Sequence, residues 1–166
     1  MNIMRITTVR WFLAACLSML AGCASLDGRG LVAGKSTGAE VQAAMGVPAA
    51  RITRPDGDEV LYFPKDRVCY AVTIGRDGVM KGIEQRLNRA NFAKVVAGKS
   101  TGAQVRELLG PPARILPLRF KGADVWEYPW YDVDDKRILI VEIAANGSVL
   151  KAIEEHDQDS DKPSLD

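Results

Sequence analysis

The sequence predicts an α+β fold: two tandem copies of one small unit, each joining two short helices to an antiparallel sheet of three to four strands. Segment 32–41 recurs at 96–105, identical except that Glu40 becomes Gln104. The echo returns in Gly46-Val47-Pro48-Ala49 and Gly110-Pro111-Pro112-Ala113, at the same offset of 64 residues. Each copy then passes from helical to strand-like patterning, with turn residues between its apolar runs. A period this long, seen twice, indicates a duplicated domain and not a solenoid array.

The best-marked helices start at Thr37 and Thr101. Each threonine stands three residues before a Glu or Gln, Glu40 and Gln104, the spacing of a capping box. Such a cap satisfies orphan backbone N–H groups and contributes about 1 kcal/mol. Val41, Ala44 and Met45 share one face of the first helix; Val105, Leu108 and Leu109 share the matching face of the second. Gly46 and Gly110 suit the position just past a helix end, and Pro48 and Pro112 forbid continuation. A short, poorly formed helix at Leu31 and Val32 precedes the first of these. A fuller one, carrying Phe92, Val95 and Val96 and capped by Asn88, precedes the second.

Strands are expected at 59–63, 68–74 and 79–85, with an edge strand at 51–53. In the second copy they are expected at 125–128, 137–143 and 149–154. Pro55-Asp56-Gly57 and Arg76-Asp77-Gly78 have turn chemistry. Alternation places Val68, Tyr70, Val72 and Ile74 toward the helices, and Cys69, Ala71 and Thr73 on the face away from them. The segment 129–136 is longer than its counterpart 64–67, and reads as an aromatic, acidic turn.

Gly34-Lys35-Ser36 and Gly98-Lys99-Ser100 imitate the end of a phosphate-binding loop. That loop needs a further glycine five positions earlier, where Arg29 and Ala93 stand. A helix start explains both stretches better, and nucleotide binding is not expected.

The N-terminus is an address. Arg5 and Arg10 give a basic region, and 11–20 give an apolar core too short for a permanent membrane span. Leu20-Ala21-Gly22-Cys23 resembles the lipobox of bacterial lipoproteins. The resemblance implies cleavage before Cys23 and its acylation with chains such as palmitate. Each buried methylene then contributes about 0.8 kcal/mol, so several chains anchor firmly. Ala24 is not the aspartate that retains enteric-type lipoproteins at the inner membrane, so the expected location is the periplasmic face of the outer membrane.

Without Arg5 and Arg10 the 22 basic residues fall to 20 against 21 acidic ones, a net charge near −1. That argues against nucleic acid as a partner. Cys16 leaves with the signal and Cys23 carries lipid, so Cys69 has no cysteine to pair with in the monomer. The chain thus divides into a signal peptide (1–22), a lipidated tether (23–30), a first copy with a shortened first helix (31–87), a second copy (88–156) and a disordered acidic tail (157–166).

The pattern Phe92, Gly98, Thr101, Gln104-Val105, Leu108-Leu109-Gly110, Pro112, then Trp126, Tyr128, Asn146-Gly147 and Val149, resembles the SmpA/OmlA (BamE-like) lipoprotein domain. In the first copy Gly34, Thr37, Glu40, Val41, Met45, Gly46, Pro48, Phe63, Gly78 and Val79 match it. The resemblance implies two helices packed on a three-stranded sheet, and an accessory role in outer-membrane protein assembly or envelope integrity. The tandem arrangement departs from the single-copy namesake. It is similar instead to secreted β-lactamase inhibitor proteins, whose sheets form a concave face that clamps an enzyme.

No enzyme chemistry is expected. His156 is the one histidine, too few for a hydrolytic triad or a zinc site. Asp132, Asp134 and Asp135 lack the later glycine and glutamate of a calcium loop. No cofactor, metal or small-molecule substrate is indicated. The expected partners are outer-membrane lipid, through Cys23, and an envelope protein such as the β-barrel assembly machinery. Trp130, Tyr131, Tyr62 and Phe120 are the candidate contacts, because exposed aromatics anchor interfaces.

Overall fold

The computed structural model describes residues 28–157. The expectations for the signal peptide, Cys23 and the tail beyond Asp157 lie outside the described residues. Within them each copy runs from a capped helix into a four-stranded meander. The first holds α1 (Gly38–Met45), β1 (Ala50–Thr53), β2 (Glu59–Lys65), β3 (Val68–Ile74) and β4 (Met80–Gln85). The second holds α2 (Arg89–Phe92), α3 (Gly102–Leu109), β5 (Arg114–Leu118), β6 (Ala123–Asp132), β7 (Asp135–Ala144) and β8 (Val149–His156). The two antiparallel sheets are separate, with strand orders β1-β2-β3-β4 and β5-β6-β7-β8.

The repeated stretch is structural in both copies. Thr37 with Glu40, and Thr101 with Gln104, form complete capping boxes. Ahead of each cap the chain lies along the last strand of its own sheet. Gly34 N–H donates to Met80 C=O and Met80 N–H to Ser36 C=O (2.8 and 2.7 Å). Gly98 N–H and Val149 N–H repeat the pattern with Val149 and Ser100 (2.8 and 2.9 Å). The serine hydroxyls accept from Val32 and Val96 N–H, closing the turns. Gly-Lys-Ser therefore straps each helix start to a sheet edge.

The predicted fold class is overturned. The described chain is mostly β, with three short helices of eight, four and eight residues, and not two units of two helices on a sheet. In the first copy residues 31–36 form no helix, and turns stand at 29–30 and 33–35. Gly30 and Gly34 adopt φ +88° and +76°, and the few residues between them cannot offset the cost of starting a helix. In the second copy one turn survives as α2. The Asn88 side chain caps it, and Phe92 packs edge-on against Trp130 at 4.9 Å.

The copies stack, and the second covers a face of the first. Leu61, Phe63, Val72 and Ile74 meet Val41 and Met45 of α1. The opposite face, Val60, Tyr62, Cys69 and Ala71, joins Val105 and Leu109 of α3 and the inner face of the second sheet, including Trp126, Tyr128, Leu139 and Val141. The order of layers is α1, first sheet, α2 with α3, second sheet. Cys69 thus faces away from its own helix but lies beneath the other copy's. Two phenols fasten the stack at the end of α3, where backbone carbonyls lack helical partners. Tyr62 OH donates to Glu107 C=O (2.5 Å) and Tyr128 OH to Gly110 C=O (3.2 Å). Arg67, in the β2–β3 turn, adds a bond to Arg137 C=O (3.1 Å) and an ion pair with Asp157.

Candidate functional site

The aromatic segment 129–136 is strand and not turn. β6 runs to Asp132 and pairs Trp130 with Arg137, Tyr131 with Lys136 and Asp132 with Asp135, leaving a loop of Val133 and Asp134. Alternation then sends neighbouring aromatics to opposite faces. Trp130 points inward, 3% exposed, against Phe92 and beneath the Arg89 guanidinium. Tyr131 points outward, 42% exposed, with Arg67 over its ring. Tyr62 is fully buried between the copies, whereas Phe120, at the β5–β6 tip, is fully exposed. Tyr62 and Trp130 are therefore core residues and not surface contacts. The four candidates share no face.

The second sheet keeps one side uncovered. On it, cross-strand rows place Arg114 beside Glu127, Ile140 and Ile153, and Leu116 beside Val125, Glu142 and Lys151. Arg114 Nε holds the buried Glu127 carboxylate at 2.6 Å. A shallow concavity of about 490 Å³, lined in part by Arg114, Glu127, Ile138, Ile140 and Glu155, occupies the middle of this side. Along its edge runs β5, exposed from Arg114 to Pro117. Ile115 and Leu116 are large apolar side chains left open there. Sequence reasoning missed β5 and this surface. The outward residues of β6 alternate Val125, Glu127, Pro129 and Tyr131, a mixture with no apolar period.

The other singled-out groups are occupied elsewhere. Burial pushes the Cys69 thiol up to about 12 from 9.0, outweighing the nearby Arg86, so the thiol is inert at neutral pH. Asp132 pairs with Arg89 (2.7 Å), and Asp135 with Arg137 (3.4 Å) and His156 (3.1 Å). Among the described residues no three His, Cys, Asp or Glu side chains converge as metal ligands. Gly46 and Gly110 sit at the helix ends at φ +89° and +87°, before Pro48 and Pro112, while Gly34 and Gly98 turn the strap. These motif residues build the fold.

No protein-family model and no curated protein matches the sequence. Among solved structures, a DUF4309 family protein (YjgB) from Bacillus subtilis subsp. subtilis str. 168 is similar at 20% identity. The match covers 78% of this chain and 84% of that one, with a TM-score of 0.31. At that level nothing about fold or function carries over.

Proposed function

We propose that the chain is a non-enzymatic lipoprotein at the periplasmic face of the outer membrane, which binds another envelope protein through the open side of its second sheet. The observation that carries this reading is the asymmetry of the stack. The first sheet is covered on both faces, whereas the second leaves Leu116, Val125 and Ile140 without a layer above them, and only the Arg67 side chain lies over Tyr131. The edge strand β5 offers unpaired backbone groups beside that side, the feature that added strands recognise.

Placement agrees with an anchor at Cys23. The described chain begins at Gly28, buried beside Ile83 and Met45 on the α1 side of the first sheet. The open side lies across the stack from α1, with the first sheet and α3 between them. The lipobox-like Leu20–Cys23 and the SmpA/OmlA-like motif in both copies support the envelope assignment. An accessory role in outer-membrane protein assembly is the reading these features favour.

Two experiments test it. Photocrosslinking in cells from position 116, 131 or 140 should capture a protein that the buried position 130 does not. Equal yields from all four would sink the docking surface. Cys23→Ser should release the protein from membranes, and persistent attachment would refute the tether.

A further inference from the structure

A second surface lies between the copies, apart from the open sheet. It is a groove of about 510 Å³, whose cations come from distant parts of the chain: Arg54 after β1, Arg86 after β4, and Lys94 and Lys99 ahead of α3. Val96 and Leu108 supply apolar wall, and Glu107 is its one carboxylate. Four positive charges against one negative contrast with the near-neutral whole.

These charges are incompletely neutralised. Arg54 reaches Glu107 only at 3.8 Å. Lys94 bonds to the neutral amide oxygen of Asn91 at 2.9 Å. Lys99 bonds to Val96 C=O through its backbone N–H, and its ammonium has no hydrogen-bond partner among the described residues. The Arg86 side chain is only 12% exposed; one end meets Glu84 at 2.8 Å, while its Nε is buried with no acceptor. An underserved guanidinium at such a site favours a carboxylate or phosphate.

The register sets the size of the ligand. Arg54 bonds across to Asp58, just beyond the Glu59–Ile74 pair, while Arg86 N–H bonds to Cys69 C=O. They are separated by three strand spacings and about six residues along the strands, so their backbones stand roughly 25 Å apart. Even two Arg side chains stretched toward each other, about 7 Å each, would leave roughly 10 Å of that span open, too far for one phosphate to bridge. An extended peptide covers that gap in about three residues. We propose that this groove binds a short extended segment of a protein partner, with acidic side chains flanking an apolar one that sits between Val96 and Leu108.

The test uses the full chain in detergent and a fluorescein-labelled peptide, Ac-Asp-Glu-Leu-Asp-Glu-amide, against its Asn/Gln counterpart. The acidic peptide should bind, weaken with salt, and lose about tenfold in affinity in the double variant Arg54→Gln, Lys99→Gln. Both side chains are partly exposed, and unchanged circular dichroism checks that the variant is folded. Equal binding of the two peptides, or no loss in the double variant, would overturn the proposal. Inorganic phosphate at matched ionic strength should not displace the peptide; displacement would make this a phosphate site. Deleting 158–166 should leave affinity unchanged, and a large gain would assign the groove to the chain's own acidic tail. Failure here leaves the open sheet of the second copy untouched, because crosslinking from position 116 reads that surface alone.

Discussion

Adding one methyl group at Gly110 should cost more than adding it at Gly46, although the two glycines close the same helix in the two copies. Both lie in a region of backbone space that is essentially glycine-only, with φ/ψ of +89°/−162° at Gly46 and +87°/−169° at Gly110. Alanine there costs about 1–3 kcal/mol in backbone strain at either position. At Gly46 that is the whole effect, because a Cβ would meet nothing within 4 Å. At Gly110 the new carbon would stand 2.7 Å from Cys69 Sγ and 2.9 Å from Tyr62 Cδ1. Neither neighbour yields readily. Both are buried, and the Tyr62 hydroxyl is held by the Glu107 carbonyl. Overpacking a filled core adds about 1–3 kcal/mol. Urea unfolding, followed by fluorescence of Trp126 and Trp130, measures both variants. Cys69→Ala in the Gly110→Ala background should recover part of the excess by removing the sulfur. Equal losses at Gly46 and Gly110 would refute the stacking of the first sheet on α3.

Val133 is 88% exposed at φ +58°, in the tight turn between β6 and β7. Val133→Gly should relieve about 1–2 kcal/mol of left-handed strain against about 0.5–1 kcal/mol of added chain entropy, so the melting temperature should rise slightly. Alkali should erode stability from about pH 9. Burial holds the Cys69 thiol and the Tyr62 phenol up at about 12, from 9.0 and 10.0, and pushes the Tyr128 phenol higher still. The unfolded chain releases these protons first, so the stabilisation is complete below pH 9 and is lost as pH rises toward 12. Each group contributes a slope of about 1.4 kcal/mol per pH unit within its window. Cys69→Ala should therefore keep stability flat to about pH 10, measurable by urea titration at a series of pH values.

The duplication, the two capping boxes, the glycine–proline helix ends and six of the eight strands were legible in the sequence. So was the edge strand β1. Each depends on residues within three or four positions of one another, or on a period-two alternation, and such signals survive without knowledge of the rest of the chain. The first helix was overestimated in both copies, since two glycines and a handful of residues cannot sustain one without packing. β5 left no trace, because an exposed edge strand needs no apolar period.

What covers each face was decided only in three dimensions. Alternation divided β3 into two sides, but it could not say that Cys69 and Ala71 would meet the second copy's helix. The unbroken buried run Val60-Leu61-Tyr62-Phe63 is the trace of that double cover. The same limit explains Trp130 and Tyr131, adjacent in sequence and opposite in role, and the groove whose four cations come from three separate loops. Local chemistry sets the elements and their two faces. Burial and charge pairing between distant segments set which face is core and which is left to bind.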